Sequence, residues 1–167
     1  MSMNILTFNE LYRKYADDVH RFAFWLCGDA DTADDITMET FERVWLSDTE
    51  IRVETVKAYL LKIARNRFLQ HRRSQNKKAP LSETIVDGAV LPDKNLELQL
   101  DVQLVLEAMQ RLPEIDRTVL LLRAEEGLPY EEIARLTGLG ISNVKVKVFR
   151  ARAKLSNDLN NVKGKSQ

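Results

Sequence analysis

Apolar residues recur at helical spacing from the start of the chain, and this pattern predicts a structure built from helices. Thr7 and Glu10 form a Thr-x-x-Glu capping box, with Leu6 and Leu11 placed as the hydrophobic staple around it. Gly28 is placed to end this first helix. The core stripe predicted for the helix consists of Phe8, Leu11, Tyr12, Tyr15, Val19, Phe22 and Leu26.

Two more helices are predicted in the first half of the chain. Asp29 or Asp31 can cap the second helix, which runs to about Leu46. A polar loop over residues 47–52 then precedes a third helix, expected from about Glu54 to Ser74. One side of the second helix is apolar, at Ile36, Phe41, Val44 and Trp45. Four aromatic residues stand at helical spacing and are predicted to be core rather than a cofactor site: Tyr15, Phe22, Trp25 and Trp45.

Residues 75–95 contain two prolines and a glycine and have no sustained period, which is typical of an interdomain linker. Helical periodicity resumes near Leu96. Three further helical segments are predicted: one that begins with Pro113 and ends at Gly127, one over 129–137 and one over 141–160. The predicted fold is all-α, with two small helical domains joined by a flexible linker. The predicted boundaries are 1–75 for the first domain, 76–95 for the linker, 96–162 for the second domain and 163–167 for a tail.

The formal net charge is zero, but the charges are segregated along the chain. Residues 1–56 carry −7, residues 57–78 carry +8, residues 79–134 carry −8 and residues 135–167 carry +7. Two basic blocks on different domains suggest two surfaces for phosphate groups, with acidic surfaces left for another partner. The alternative is that each basic block is an ordinary solvated helix face.

Composition and motifs argue against several classes of protein. No apolar run reaches the length of a membrane span, and the first residues lack the pattern of a signal peptide, so we expect a cytoplasmic protein with no membrane contact of its own. The single cysteine, Cys27, excludes an intrachain disulfide and a clustered zinc site, and is expected to be a small buried hydrophobe. The sequence has no phosphate-binding glycine loop and no nucleophile with a base at a recognisable spacing. We therefore expect no enzyme, no cofactor and no metal.

The last two helical segments are separated by Gly138, Leu139 and Gly140, and the final one is long and basic, which is typical of a helix-turn-helix. On a helical wheel the core stripe of that helix consists of Ile141, Val144, Val148, Ala151, Leu155 and Leu159. The opposite arc holds Ser142, Asn143, Val146, Phe149 and Arg150, with Lys145, Lys147, Arg152 and Lys154 on its flanks. Such a face suits the major groove of DNA, where cations hold phosphates and the centre reaches base edges. The alternative is a generic three-helix bundle with a solvated basic face.

These residues resemble the C-terminal domain of the extracytoplasmic-function (ECF) sigma factors of bacterial RNA polymerase. The resemblance rests on Leu112-Pro113, Arg117, residues 119–123 and 126–134, Val144-Lys145 and residues 150–155. It implies that the domain binds the minus-35 promoter element and the flap of the polymerase β subunit. The implied DNA-binding residues are Ser142, Asn143, Lys145, Val146, Lys147, Phe149 and Arg150.

The first half of the chain resembles the same family. Residues 31–45 look like the segment that docks on the β′ clamp of core RNA polymerase, which implies contacts by Asp34, Asp35, Glu39, Phe41, Glu42 and Trp45. Residues 59–67 and 71–73 look like the helix for the minus-10 element, with Lys62, Arg65, Asn66, Arg72 and Arg73 as its DNA-binding residues. The loop 47–52 corresponds to the family's pocket for a flipped base.

The wheel of the third helix is consistent with this role. Val56, Tyr59, Leu60, Ile63 and Ala64 form an apolar arc, and the cations lie on another side, where they can follow a separating strand. Asn66 can read a base edge or be a plain surface amide. Arg67 falls inside the apolar arc, and the sequence offers no physical reason for it.

Acidic residues cluster on the second helix, at Asp31, Asp34, Asp35, Glu39 and Glu42. Metal ligation is one interpretation of such a cluster, and contact with a basic polymerase surface is the one that the resemblance implies. His20 and His71 are far apart in sequence and do not indicate catalysis.

The leading hypothesis is a sigma factor that binds core RNA polymerase, directs it to promoters and helps open the DNA. The family also implies an anti-sigma factor as a partner. One alternative is a stand-alone helix-turn-helix regulator that binds duplex operators, and the other is a hydrolase or transferase. The regulator hypothesis leaves the clamp-like second helix and the basic third helix unexplained.

Overall fold

A computed structural model of the chain describes residues 7–47, 56–78 and 96–165. Within those ranges the regular structure is entirely helical, which confirms the predicted fold class. The helices are α1 (Phe8–Cys27), α2 (Ala30–Leu46), α3 (Val56–Lys78), α4 (Leu96–Gln110), α5 (Glu114–Leu120), α6 (Tyr130–Thr137) and α7 (Ile141–Lys165), with a π-helical segment at Leu121–Glu125. They fall into two compact units, α1–α3 and α4–α7.

The first unit is a three-helix bundle whose ends follow the predicted caps. The Thr7 hydroxyl accepts a hydrogen bond from the Glu10 amide, and the Glu10 carboxylate accepts one from the Thr7 amide at 3.1 Å. Gly28 adopts a left-handed φ of 78° and ends α1, and Asp29 caps α2. The proposed staple residue Leu6 lies outside the described residues. The largest fully buried side chains of this unit are Val19, Phe22, Leu26, Ile36, Val56, Leu60 and Leu61.

Three side chains depart from the predicted core of this unit. Trp45 is 66% exposed in the last turn of α2, and its ring meets that of Phe8 edge-on at 4.9 Å. Tyr12 is also exposed, at 48%, although its ring contacts that of Phe41 on α2. Cys27 is only partly buried, and its thiol donates a weak hydrogen bond to the Asp29 carbonyl at 3.2 Å.

The second unit is built around α7, which packs against α4, α5 and α6. Its core includes Leu106, Leu112, Val119, Leu122, Ile133, Val144, Val148 and Ala151. Arg117 is 5% exposed and donates hydrogen bonds to the carbonyls of Met109, Gln110 and Leu112. Since the last carbonyls of a helix have no partners within it, this guanidinium closes the end of α4.

Several predicted helix ends are wrong by a few residues. The helix α3 continues past Ser74 to Lys78, and α7 continues past Asn160 to Lys165. Residues 76–78 of the predicted linker and 163–165 of the predicted tail are therefore helical. Pro113 is the N-cap of α5 rather than its first residue, because its ψ of 147° is not helical. Ile141, assigned to the core stripe, is 41% exposed, since it is the first residue of α7.

Candidate nucleic-acid and polymerase interfaces

One face of α7 forms the core of its unit, and another is open. Val144, Val148 and Ala151 are buried, as the wheel predicted. Phe149 is 75% exposed and Val146 is 44% exposed. Exposed polar and charged residues surround these two apolar side chains: Ser142, Asn143, Lys145 and Arg150. The open face therefore presents apolar surface, hydrogen-bonding groups and cations together.

Lys147 differs from its neighbours on α7. Its Nζ lies 3.5 Å from Oδ1 of Asp116 on α5, and its side chain is largely covered. The ammonium group is thus held inside the unit rather than extended on the open face. Lys147 was expected to contact phosphate from the flank, and this ion pair instead leaves Lys145 as the exposed lysine beside the apolar pair.

Lys145 is linked to the first helix of the helix-turn-helix through Tyr130. The Lys145 ammonium lies 5.6 Å from the centre of the Tyr130 ring, and the Arg123 guanidinium lies 4.2 Å from it. Arg123 belongs to the π-helical segment and also donates a hydrogen bond to the Leu128 carbonyl at 3.2 Å. These contacts place two cations next to the open face of α7.

The basic side of α3 is also open. Four of the predicted DNA-binding residues are exposed, namely Lys62, Asn66, Arg72 and Arg73, and Arg65 is half-buried. Of the predicted base pocket over 47–52, only Ser47 lies within the described residues.

A cavity of about 200 Å³ lies between α2 and α3. It brings together two residues of the predicted DNA surface, Asn66 and Arg73, with two that the sequence analysis did not assign to any site, Arg43 and Arg67. Ile63, Leu69 and Gln70 complete its lining. The position of Arg67 in the apolar arc of the wheel was the one sequence signal that pointed to this cavity.

The acidic side chains predicted to bind polymerase all belong to α2, but their surroundings differ. Asp34, Asp35 and Glu42 are exposed, and Glu39 is partly covered. Phe41 is 3% exposed and packs edge-on against Tyr12 at 5.0 Å, so its side chain is mainly part of the core, and its contact with polymerase stays a prediction. Trp45 is still predicted to contact polymerase, because its ring is exposed.

Both histidines of the chain contact carboxylates of α2. Nε2 of His20 lies 2.8 Å from Oδ1 of Asp34, and Nε2 of His71 lies 3.1 Å from Oε2 of Glu39. No sequence motif indicated these contacts, because the partners of the two histidines are 14 and 32 residues away along the chain. Each histidine holds one of the predicted polymerase-binding carboxylates against a neighbouring helix.

A groove between α1 and α2 is lined by aromatic and apolar side chains next to these carboxylates. Phe8, Tyr12, Met38, Phe41 and Trp45 line it, together with Asp34 and Glu42. Met38 is strongly exposed, and the sequence analysis did not single it out. Exposed apolar side chains with a charged border are typical of a protein-binding surface.

Across residues 7–47, 56–78 and 96–165, no three His, Cys, Asp or Glu side chains are grouped so that they could hold a metal ion. In the same ranges, no helix is both long enough and apolar enough to cross a membrane.

Comparison with known proteins matches both units to one family. Residues 11–78 match the model of sigma-70 region 2, and residues 103–155 match that of sigma-70 region 4. The ECF RNA polymerase sigma factor SigM of Bacillus subtilis is 29% identical over 153 residues, covering 90% of this chain and 93% of SigM. SigE of Mycolicibacterium smegmatis is 34% identical over 158 residues, covering 89% of this chain and 60% of SigE. The ferric citrate uptake sigma factor FecI of Escherichia coli is 32% identical, with 87% of each chain covered.

Solved structures give the same result. The sigma factor RpoE from Bartonella quintana, solved in complex with the anti-sigma factor NepR, has a TM-score of 0.75 and 25% identity, covering 92% of this chain and 96% of that one. CnrH, solved with the cytosolic domain of CnrY, shares the fold with a TM-score of 0.65, 21% identity and coverage of 92% and 88%. A stand-alone helix-turn-helix regulator would not account for the region 2 match. The chain therefore belongs to the ECF family of sigma factors, which direct RNA polymerase to promoters.

Proposed function

We propose that this sigma factor uses three separate surfaces to bind polymerase and promoter DNA. The acidic surface of α2 and Trp45 bind the β′ clamp of core RNA polymerase, the basic side of α3 binds the opened minus-10 element, and α7 reads the minus-35 element. The β flap is the expected partner of the second domain. The observation that carries the proposal is the open face of α7, where Val146 and Phe149 are exposed among hydrogen-bonding and basic residues.

The open face of α7 has the chemistry needed to read duplex DNA. A guanidinium such as that of Arg150 can bond the O6 and N7 atoms of guanine, and apolar side chains can contact a thymine methyl group. Cations at the border neutralise phosphates and contribute affinity that does not depend on sequence. Lys145 and Arg123 have this position beside the face.

The exposed side of α3 suits a strand that has left the duplex. Lys62, Arg72 and Arg73 supply charge for the backbone, and the Asn66 amide can hydrogen-bond a base edge. Opening the duplex costs a few kcal/mol per unstacked base, and tighter binding of the single strand offsets this cost. No covalent step is required, so we propose that the protein acts by binding alone, in the cytoplasm with the polymerase.

We propose that an anti-sigma factor controls this protein. The support is its likeness to RpoE, which was solved with the anti-sigma factor NepR. A partner that covers the exposed α1–α2 groove would compete with core polymerase, because the same groove borders the carboxylates of α2.

Reconstitution with core polymerase tests the proposal. The chain is mixed with bacterial core enzyme and a pool of promoter-sized templates, and run-off transcripts are sequenced. We expect transcripts that begin downstream of a shared pair of elements and that are absent with core enzyme alone. A chain that bound duplex DNA but neither associated with core polymerase nor supported transcription would instead be a stand-alone regulator.

A further inference from the structure

The cavity between α2 and α3 has an unusual lining for an all-helical core. Three arginines line it, Arg43, Arg67 and Arg73, together with two residues that carry side-chain amides, Asn66 and Gln70. Among the described residues that line it, none carries a carboxylate or an aromatic ring. The cavity therefore offers many hydrogen-bond donors and positive charge to whatever enters it.

The spacing of these residues explains why they meet. Ile63, Asn66, Arg67 and Gln70 stand at positions i, i+3, i+4 and i+7, so they form one stripe along α3. The stripe overlaps the edge of the apolar arc that is nearer to the basic side of the helix, and Ile63 and Arg67 lie inside that arc. Arg43 reaches the same place from α2, the helix that packs against this part of α3.

The three arginines have no anionic partner within the described parts of the chain. No ion pair joins Arg43, Arg67 or Arg73 to a carboxylate there, although Glu39 and Glu42 line a neighbouring cavity together with Arg43 and Arg67. The Nε atom of Arg67 is buried and has no hydrogen-bond acceptor among those residues. A guanidinium that is partly buried and lacks an acceptor at Nε is unfavourable, so an anion in the cavity would stabilise the charge of Arg67.

We infer that this cavity binds a phosphate group of the opened DNA strand, with Arg43, Arg67 and Arg73 as its ligands. The inference rests on the proposed role of α3 and extends it to α2. Planar guanidinium groups match the paired oxygens of a phosphate, and no aromatic ring that could stack on a base is found among the described lining residues. Phosphate binding would explain why an arginine stands at position 67, among apolar positions on the helical wheel.

Binding of single-stranded DNA to the full-length chain tests the inference. The probe is a fluorescently labelled oligothymidylate of about 12 nucleotides, titrated by anisotropy at several salt concentrations. We expect Arg43→Gln and Arg67→Gln each to lower the affinity about 3–10-fold, in line with the loss of a charge-assisted contact. The double variant should reduce the magnitude of the salt slope by about 0.7, which corresponds to one lost phosphate contact.

Two controls separate this site from charge effects and from misfolding. Arg13→Gln removes an exposed arginine of α1 that is outside the cavity, and it should bind like the wild type. Arg43 is exposed, so its variant should keep the unfolding midpoint of the wild type even where Arg67→Gln does not.

An oligothymidylate with neutral methylphosphonate linkages distinguishes phosphate from base contacts. The inference predicts that the wild type and Arg43→Gln bind this neutral probe equally weakly. It is overturned if the variants lose as much affinity for the neutral probe as for the charged one, since the arginines would then contact bases. It is also overturned if Arg43→Gln binds like Arg13→Gln, or if the wild type does not bind the charged probe at low salt. Failure of the proposed function would appear separately, as absence of transcription with core polymerase.

Discussion

Nε2 of His71, on α3, lies 3.1 Å from Oε2 of Glu39, on α2. A hydrogen bond thus joins the helix that we assign to DNA with the helix that we assign to polymerase. The contact is only partly covered by protein, so its contribution to stability is expected to be modest. Its position still makes it a direct side-chain contact between the helix proposed to bind DNA and the helix proposed to bind polymerase.

A double-mutant cycle measures this link. We expect Glu39→Gln and His71→Gln to show a coupling of about 0.2–1 kcal/mol in the free energy of unfolding of the first unit, measured with urea. Glu39→Gln should also weaken binding to core polymerase, while His71→Gln should change it little. Strictly additive effects on stability would show that the hydrogen bond contributes nothing.

Phe41 and Trp45 are one turn apart on α2 and should respond differently to truncation. Trp45→Ala removes an exposed ring and should weaken association with core polymerase by about 2 kcal/mol, roughly 30-fold, with little effect on folding. Phe41→Ala removes a buried ring and should lower the free energy of unfolding by about 3–5 kcal/mol. The measurements are competition for core polymerase and urea unfolding. Wild-type affinity of Trp45→Ala would remove this residue from the interface.

Val146 and Val148 provide a matched pair on α7. Val148→Asp places an unpaired charge in the small core of the second unit and should unfold that unit. Val146→Asp places the same charge on the open face, so the unit should remain folded while binding to promoter DNA is lost. Circular dichroism on heating and binding to an upstream promoter fragment check both outcomes. Equal thermal stability of the two variants would contradict the assignment of core and open faces.

Arg150 and Lys145 are predicted to contact DNA in different ways. Arg150→Ala should cost about 1–3 kcal/mol and relax the preference at one position, as expected for a guanidinium bound to guanine. Lys145→Ala should weaken all sequences alike and reduce the magnitude of the salt slope by about 0.9. Lys147→Ala should alter the slope less, because that ammonium is paired with Asp116. Selection from a randomised upstream element at two salt concentrations provides the test, and a reversed outcome would require a different rotation of α7 in the groove.

Arg117 is expected to be a stability residue rather than a binding residue. Arg117→Ala removes the guanidinium donor from the carbonyls of Met109 and Leu112, of which Met109 keeps only the Leu112 amide, and should cost the second unit about 2–4 kcal/mol. Arg117→Lys keeps the charge but loses the fork of donors, so it should recover only part of that loss. Arg135→Ala, at an exposed position of α6, is the matched control and should unfold like the wild type. A fully stable Arg117→Ala would mean that water replaces the guanidinium at no cost.

Local signals in the sequence were sufficient to predict most of the helices and their ends. The capping box at Thr7 and the glycine at position 28 set the bounds of α1 because both act within a few residues. The end of α3 was placed too early at Ser74, since residues 75–78 are polar but compatible with a helix. The first residue that cannot continue a helix is Pro80, which gives a better estimate of the true end at Lys78.

The candidate sites were harder to predict from the sequence than the helices, because the sites depend on contacts between helices. The pairing of His71 with Glu39 spans 32 residues, and no periodicity within one helix could reveal it. The same holds for Lys147, whose ion pair with Asp116 depends on how α5 packs against α7. The π-helical turn at Leu121–Glu125 likewise leaves no clear mark in the pattern of apolar residues.

The alternation along α7 has a consequence for how promoter preference can change. Residues that hold the unit together, such as Val144 and Val148, and residues that face outwards, such as Val146 and Phe149, alternate within a few positions. A substitution at an outward position therefore leaves the packing intact, so new specificities can arise by single steps without loss of the folded state. A library randomised at positions 142, 143, 145, 146, 149 and 150 should accordingly yield mostly folded proteins, from which sigma factors for orthogonal promoters can be selected.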